Sequence, residues 1–244
     1  MRLDNYLVES SLVDSRTKAQ VLIKDSKVLV NSKIIKKSSF KIDIEKDIIV
    51  LEKHDNYVSR AAYKLKAFLE ELKLDIKDSI SLDIGSSTGG FTQILLENNV
   101  KEVFAVDVGK DQLHKSLKSD SRVKSFESCD IRKFDVSKKF DIVVSDVSFI
   151  SLHHILADVD RLAKNKIILL FKPQFEVGRE VKRDNKGVVI DKKAIQNAMT
   201  KFENSCKERD WNLIKKSPSQ LTGKEGNLEY CYYFSKWTIK LWYY

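Results

Sequence analysis

Hydrophobic residues beyond residue 80 recur with two spacings, one typical of strands and one of helices. The short apolar runs predict strands at 80–84, 102–107, 123–127, 141–145 and 167–172, and two late strands at 211–217 and 228–235. The helical spacing predicts helices at 89–98, 110–118, 151–163 and 191–209. Strands that alternate with helices in this way predict an α/β fold with a doubly wound, parallel sheet.

The first part of the chain follows a different pattern. Its apolar positions predict a short amphipathic helix after Arg2, then a helix that either Asp14 or Ser15 can cap, and then short strands. Because about fifty residues bury only a small core, we expect residues 1–52 to form a small appended module.

A polar segment at 53–58 is predicted to connect this module to the main domain at 59–244. The domain begins with a predicted helix at 59–73, for which Ser59 can serve as the cap. The aromatic segment at 237–244 can either cover an edge of the core or mediate pairing.

Composition excludes several classes of protein. No window of the 244 residues approaches 18 apolar positions, and the N-terminus lacks the apolar core of a signal peptide, so we expect a cytoplasmic protein without a membrane-spanning helix. The three cysteines, Cys129, Cys206 and Cys231, lie far apart and form no Cys-x-x-Cys pair. We therefore expect neither a disulfide scaffold nor a metal site.

The charge balance is basic. Lysine and arginine number 44 against 35 acidic residues, which gives a formal net charge of +9. This excess permits a phosphate-rich partner such as a nucleic acid, although it also suits a protein whose lysines merely keep it soluble.

Glycine is scarce, and three of the eight glycines fall in the segment Ser81-Leu-Asp-Ile-Gly-Ser-Ser-Thr-Gly-Gly-Phe91. This segment joins the predicted strand at 80–84 to the helix at 89–98, and such a turn lets the backbone pass close beneath a ligand. Asp107 ends the next strand, where an acid can accept both ribose hydroxyls of an adenosine cofactor. Asp130 follows the third strand and can bond an adenine amino group, or play no part in binding.

The cofactor itself is ambiguous at this point. A dinucleotide enzyme requires Gly-x-Gly-x-x-Gly, whereas the order here, Gly85-Ser-Ser-Thr-Gly89-Gly90, lacks the second glycine that lets a pyrophosphate approach. The missing glycine disfavours NAD and favours S-adenosylmethionine as the cofactor. The position of Asp83, upstream of the loop, also favours S-adenosylmethionine. The predicted cofactor-binding residues are Asp83, Gly85, Ser86, Ser87, Thr88, Gly89, Gly90, Asp107 and Asp130.

A second group of polar residues follows the fourth and fifth strands. Asp146 ends one and Lys172, before Pro173, ends the other, so the parallel arrangement brings both to the same edge as the glycine loop. Glu229 lies at the start of a late strand, and Lys64 lies on the helix at 59–73. A lysine at the end of a buried strand, such as Lys172, is costly unless its charge is paired or used in catalysis. A structural ion pair with a carboxylate is therefore the alternative to a catalytic role.

These motifs resemble a known family. Ser59-Arg-Ala-Ala-Tyr-Lys64-Leu, Asp146-Val-Ser-Phe-Ile-Ser, Lys172-Pro-Gln-Phe-Glu and Gly226-Asn-Leu-Glu229-Tyr resemble the Lys-Asp-Lys-Glu tetrad of FtsJ-like ribose 2′-O-methyltransferases. Over nearly its full length the chain is similar to the TlyA family, rRNA methyltransferases that carry a haemolysin name. The resemblance implies that Lys64, Asp146, Lys172 and Glu229 are catalytic and that S-adenosylmethionine is the cofactor.

The resemblance also implies a substrate. It points to the ribose 2′-oxygen of a cytidine in ribosomal RNA, bound as free RNA or as a ribosomal subunit, and to a link with capreomycin susceptibility. The chain starts directly at Met1-Arg-Leu-Asp, which resembles the shorter members that modify only the large-subunit (23S) RNA. Lys172 is expected to act either as the general base or as a charged group that orients the hydroxyl.

The N-terminal module resembles an S4 domain, a small RNA-binding fold, through Arg2-Leu-Asp, Ser15-Arg16 and Val28-Leu-Val-Asn31. Ser26 and Ser32 replace two turn glycines of that family, so these turns need left-handed geometry at other residues or a different bend. The residues predicted to meet RNA phosphates are Arg2, Arg16, Lys18, Lys33, Lys36, Lys37 and Arg60.

Three alternatives remain open at this point. A membrane-acting haemolysin would explain the family's name, but no segment of the sequence is long and apolar enough to span a membrane. A non-catalytic RNA-binding assembly factor would not need the intact tetrad. A methyltransferase with another substrate would share the cofactor site, and the S4-like module argues for RNA.

Overall fold

The computed structural model describes residues 1–31, 33–51 and 57–236, and divides into two compact units at 1–56 and 57–244. Most of the predicted connection at 53–58, Ser32 and the aromatic segment at 237–244 lie outside the described residues. Tyr57 and Val58, which the sequence assigned to the connection, belong to the second unit. The Tyr57 hydroxyl donates to Glu97 at 3.0 Å, and the Val58 amide donates to Gln93 at 2.9 Å.

The first unit contains two helices and a small antiparallel sheet. Its elements are α1 (Leu3–Glu9), α2 (Arg16–Lys24), β1 (Val28–Val30), β2 (Lys33–Ile34) and β3 (Ile49–Leu51), with the strand order β2-β1-β3. Ser15 is the cap of α2, because its side chain accepts the Lys18 amide. The helices bury Leu3, Leu7 and Ile23 against the sheet, which gives the small core that the sequence predicted.

The turn geometry of this unit agrees in part with the sequence. Ser26 has a φ of 64° and Asn31 a φ of 51°, so both adopt the left-handed conformation that glycine usually supplies. At Ser26 the turn therefore uses left-handed geometry at a residue other than glycine, which is one of the two alternatives that the sequence offered.

The second unit is built on a sheet of seven strands. The strands are β4 (Ile80–Ile84), β5 (Glu102–Val106), β6 (Val123–Phe126), β7 (Phe140–Ser145), β8 (Ala163–Phe171), β9 (Trp211–Pro218) and β10 (Tyr230–Lys236). Their order is β6-β5-β4-β7-β8-β10-β9. The first five are parallel, as predicted, whereas β10 runs antiparallel to both β8 and β9.

Helices cover the sheet. They are α3 (Ala61–Leu72), α4 (Gly90–Glu97), α5 (Lys115–Lys118), α6 (Leu156–Leu162), α7 (Pro173–Glu176) and α8 (Lys192–Lys207). Two apolar clusters separate the layers, one containing Leu82, Phe171 and Phe202 and the other containing Leu65, Ile94 and Ile142. Burial on both faces explains why these strands read as continuous apolar runs.

Several helix boundaries differ from the prediction. The helix predicted at 110–118 is reduced to α5, because the Gln112 and Leu113 amides donate to the Glu127 carboxylate instead of to a helix. The helix predicted at 151–163 is a short 3₁₀ turn followed by α6, and β8 already begins at Ala163. Ser59 does not cap α3, since Arg60 is the capping position and no side chain bonds there.

Candidate active site

The glycine loop leaves β4 and enters α4 with strained backbone angles that glycine tolerates. Gly85 has a φ of 77° and Gly89 a φ of 98°. A Cβ at Gly85 would lie 3.0–3.3 Å from Val147, and one at Gly90 would lie 2.2 Å from Ser59 Oγ and 2.9 Å from the Ala62 backbone. Close packing therefore requires all three glycines, and the left-handed backbone of the turn requires Gly85 and Gly89 as well.

Two cavities meet at this loop. The lysine cavity, of about 810 Å³, is lined by Lys64, Asp146, Lys172 and Glu229 together with Arg60. The aspartate cavity, of about 500 Å³, is lined by Asp107 and Asp130. Gly85 and Ser87 line both cavities, and Ser86, Thr88 and Gly90 line the lysine cavity alone. All four predicted catalytic residues thus share one cavity.

Asp107 is held firmly at the mouth of the aspartate cavity. Its carboxylate accepts the Ser87 amide at 2.8 Å and the Gly109 amide at 2.6 Å. One bond comes from the glycine loop and the other from the turn after β5, so the carboxylate is fixed against the loop that it is predicted to serve. This arrangement leaves remaining lone pairs that can accept from a ligand.

Asp130 lies on the opposite wall of the same cavity and is already engaged. Arg132 donates to both of its oxygens, with the shortest contact at 2.6 Å, and lowers the pKa of Asp130 to about 2. Asp130 also caps the short 3₁₀ turn after β6 by accepting the Arg132 amide. It is therefore a permanently charged acceptor with a structural role of its own.

Asp83, on β4, and Gly89, within the loop, line neither cavity. Asp83 is fully buried, and its Oδ2 atom accepts the Thr92 hydroxyl at 2.6 Å. Burial raises the pKa of Asp83 to about 7, because removing the carboxyl group from water disfavours its charged form. The position of Asp83 suits support of the loop from below better than direct contact with a ligand.

In the lysine cavity, Lys64 from α3 pairs with Glu229, which immediately precedes β10. The Nζ and Oε2 atoms lie 2.5 Å apart, and both side chains are almost completely buried. Glu229 Oε1 accepts the Gln174 side-chain amide at 3.1 Å. Both carboxylate oxygens of Glu229 are therefore used, which fixes the position of Lys64.

A second pair lies across the same cavity. Lys172 Nζ lies 2.7 Å from Asp146 Oδ1 and donates to the Ser148 hydroxyl at 2.7 Å. Burial raises the pKa of Asp146, and the two lysines of the cavity, Lys172 and Lys64, oppose that rise. Each lysine thus has its own carboxylate partner, so the ion pairing that the sequence offered as an alternative is present within the cavity itself.

Three further residues of the site were missed from the sequence. Ser148 fixes Lys172, Gln174 fixes Glu229, and Phe149 lines both cavities with 92% of its surface exposed. Phe149 also has a φ of 66°, which is unusual for a bulky residue. Ser148 and Phe149 directly follow Asp146, and Gln174 lies two residues after Lys172, so proximity to the predicted residues was the available signal.

The predicted RNA-binding residues of the first unit differ in their surroundings. Arg2 and Arg16 both donate to the buried Asp4 carboxylate, at 2.9 and 3.0 Å, and Lys18 pairs with Asp14 at 2.9 Å. Lys33, Lys36 and Lys37 are exposed. The hydrogen bond from Arg2 is the main cause of a lowered pKa of Asp4, and the bonds from Gln20 and Arg16 lower it further. The two arginines therefore also hold this unit together.

Both units of the chain match known protein families. Residues 57–236 match the model of the FtsJ-like methyltransferase family, and residues 1–49 match the S4 domain. The chain is 46% identical to the 23S rRNA (cytidine-2′-O)-methyltransferase TlyA of Campylobacter jejuni, over 97% of this chain and 100% of that protein. The chain belongs to the TlyA family. It is accordingly a methyltransferase with an N-terminal S4 domain, as the motifs predicted.

Other members of the TlyA family show how the family is named. The chain is 34% identical to the 16S/23S rRNA (cytidine-2′-O)-methyltransferase TlyA of Mycobacterium tuberculosis, over 94% of this chain and 87% of that one. A solved structure of a hemolysin-named protein from Streptococcus thermophilus superposes with a TM-score of 0.73 and 31% identity, covering 97% of this chain and 88% of that one. Among the described residues, no helix is long and apolar enough to cross a membrane.

Proposed function

We propose that the protein transfers a methyl group from S-adenosylmethionine to the ribose 2′-hydroxyl of a cytidine in large-subunit (23S) ribosomal RNA. The observation that carries the proposal is the pair of lysine–carboxylate contacts, Lys64–Glu229 and Lys172–Asp146, in one cavity beside the glycine loop. A hydroxyl group is a weak nucleophile, so transfer of a methyl group to it requires groups that orient the hydroxyl and take up its proton.

The residues of the aspartate cavity fit the cofactor. Asp107 would hold the ribose hydroxyls of the adenosine, Asp130 the adenine amino group, and the backbone of Gly85 to Gly90 the methionine portion, with Asp83 supporting the loop from below. Gly85 lines both cavities, which agrees with a ligand that passes close to the backbone of the loop. When bound, S-adenosylmethionine supplies a methyl group on a positively charged sulfur.

Lys172 is proposed to orient the nucleophile as a charged group. Its ammonium group is held by the ion pair with Asp146 and by hydrogen bonds to the Ser148 hydroxyl and the Asp146 carbonyl, in the cavity where the ribose 2′-oxygen would lie. The hydroxyl proton passes to the Asp146 carboxylate as the oxygen attacks the methyl group, since burial raises the pKa of this carboxyl group and so favours its protonated form. Lys64 and Glu229 hold the opposite wall of the cavity in place.

The first unit is proposed to supply RNA affinity. Arg2, Arg16, Lys18, Lys33, Lys36 and Lys37 would contact phosphates there, and Arg60 would do so at the rim of the lysine cavity. Ribose methylation requires little discrimination between bases inside the pocket, so RNA shape and contacts outside it would select the target. The same methylation would make the ribosome susceptible to capreomycin-type peptide antibiotics.

Two relatives frame the choice of RNA. The protein that is 46% identical is named for 23S RNA alone, and the one that is 34% identical is named for both 16S and 23S RNA. The greater similarity to the first supports the large subunit as the substrate.

Mass-spectrometric mapping of ribose methylation in rRNA from cells with and without the gene tests this proposal. We expect one 2′-O-methylcytidine in 23S RNA to disappear on deletion, and capreomycin resistance to rise. Restoring the gene with Lys172→Ala should leave the site unmethylated, because loss of a group that assists proton transfer lowers the rate by about 10²-fold or more. Unchanged methylation on deletion, or normal methylation by the Lys172→Ala protein, would contradict it.

A further inference from the structure

One loop forms the wall between the two cavities. Residues 146–152, the partition loop, contain Asp146, Ser148 and Phe149, and these three residues line both the lysine cavity and the aspartate cavity. The loop therefore contributes side chains to both sides of the site.

Contacts with β4 and with Lys172 hold the start of the partition loop. The Asp146 amide donates to the Ile84 carbonyl at 3.2 Å, and Asp146 and Ser148 both contact Lys172 Nζ. Phe149, in the middle, adopts a left-handed φ that a bulky residue keeps only when its surroundings impose it. The far end of the loop must therefore be held as well.

Glu176 holds that far end. Its Oε2 atom accepts the Ser151 hydroxyl at 2.6 Å, and its Oε1 atom accepts the Leu152 amide at 2.8 Å. The Ser151 oxygen in turn accepts the His153 amide at 3.2 Å, so the carboxylate organises the beginning of the 3₁₀ turn that follows the loop.

Glu176 holds the loop with a partly buried carboxylate. Burial raises the pKa of this carboxyl group, whereas the bonds from Ser151 and Leu152 and the nearby charges of His154 and Lys201 oppose that rise. The two bonds to the loop therefore also stabilise the carboxylate in this position.

The same short helix reaches the rest of the site. Lys172 is the capping residue of α7, Gln174 bonds to Glu229, and the Phe175 ring lies 5.5 Å from the Phe149 ring. One helical turn thus connects the lysine pair, the glutamate pair and both ends of the partition loop.

We propose that Glu176 is a positioning residue that clamps the far end of the partition loop to α7, so that Asp146 and Ser148 stay in contact with Lys172. For the reaction itself this inference rests on the proposed function. The clamp can be measured without any RNA, because the Leu152 amide has the Glu176 carboxylate as its acceptor.

Amide hydrogen exchange of residues 147–153 in the full-length Glu176→Ala protein tests the clamp directly. We expect the Leu152 amide to exchange at least about tenfold faster, since a hydrogen bond to a charged group is lost. Glu176→Gln should exchange close to the wild-type rate, because its oxygen can accept from Leu152 while its amide donates to Ser151. The exposed Glu208→Ala is the matched control and should leave the segment unchanged.

Kinetics with RNA separate positioning from a structural role. In Glu176→Ala, kcat should fall by about tenfold or more while the dissociation constant for S-adenosylmethionine changes less than about threefold, because the residues around Asp107 are untouched. Glu176→Gln should recover most of kcat. Ser151→Ala, which keeps the charge and the Leu152 bond, should give a smaller loss and serves if Glu176→Ala does not fold.

Unchanged Leu152 exchange in a folded Glu176→Ala protein would overturn the clamp. If Glu176→Ala does not fold, an unchanged kcat in Ser151→Ala would overturn it, because that variant removes one of the two bonds of the clamp. A fall in kcat that merely follows a lower folded fraction, measured by thermal unfolding, would overturn the positioning role. If the wild-type protein does not methylate RNA, the proposed function fails, while the exchange experiment still decides whether the clamp exists.

Discussion

Lys64 Nζ lies 2.5 Å from Glu229 Oε2, although the two residues are separated by 165 positions in the chain. Lys64 lies on α3, before the first strand of the large sheet, and Glu229 immediately precedes β10. The contact therefore joins the first helix described in the methyltransferase unit to the last strand described there, inside the lysine cavity. Loss of either partner should affect both the stability and the activity of the protein.

Glu229→Gln is expected to lower the free energy of unfolding by about 3 kcal/mol, because it leaves the Lys64 ammonium buried without its counterion. Methylation should be lost as well. Chemical denaturation and a methyl-transfer assay measure the two effects.

The double variant Lys64→Met with Glu229→Leu separates them. Apolar side chains of similar size remove both buried charges, so most of the stability should return, whereas activity should not. If the double variant were as unstable as Glu229→Gln, packing rather than charge would explain the loss of stability. If it regained activity, neither residue would take part in catalysis.

Asp107→Ala should weaken S-adenosylmethionine binding by about 10- to 100-fold, because the carboxylate is held by two backbone amides at the position proposed for the ribose hydroxyls. Isothermal titration with the cofactor measures the change. The exposed Asp135→Asn provides a control that should bind normally. Normal binding by Asp107→Ala would remove Asp107 from the cofactor site.

Parallel-sheet rules explain why part of the site could be predicted from the sequence. Asp146 and Lys172 each follow a buried strand, and the carboxyl ends of neighbouring parallel strands meet at one edge. The position of Glu229 could not be predicted by the same rule, since β10 runs antiparallel to β8 and pairs Tyr230 with Phe171. That pairing brings the start of β10 to the end of β8, and only the family resemblance, not the strand pattern, pointed to it.

Other features depend on contacts that are distant in sequence. The short α5 results from a carboxylate, Glu127, that takes the amides of Gln112 and Leu113 away from a helix. Ser59 packs against Gly90 instead of capping α3. Helical spacing and capping preferences describe local tendencies, and here tertiary hydrogen bonds and packing override them.

Asp83 should make the stability of the protein fall as the pH rises. The folded-state pKa of about 7 lies above the ordinary aspartate value of 3.8, so the stabilising contribution is complete below about pH 4 and is lost as the pH rises through 7. The loss should amount to roughly 2–4 kcal/mol. Urea unfolding at pH 5 and pH 8 measures it.

The Asp83→Asn variant provides the comparison, because its side chain cannot ionise. Between pH 5 and pH 8, the free energy of unfolding of the wild type should fall relative to that of the variant. An equal difference at both pH values would show that Asp83 does not titrate in this range. Asp135→Asn, which changes an exposed carboxylate, should show no such shift.

Replacing Lys33, Lys36 and Lys37 together with glutamine should weaken RNA binding and flatten its dependence on salt. The three side chains are exposed on the first unit, and each phosphate contact that is lost reduces the slope of log K against log salt by about 0.9. A filter-binding titration at several salt concentrations measures the slope. Replacement of the exposed Lys101, Lys193 and Lys207 of the second unit removes the same charge from outside the S4 domain. An equal fall in slope for both triple variants would indicate that net charge, rather than the S4 surface, attracts the RNA.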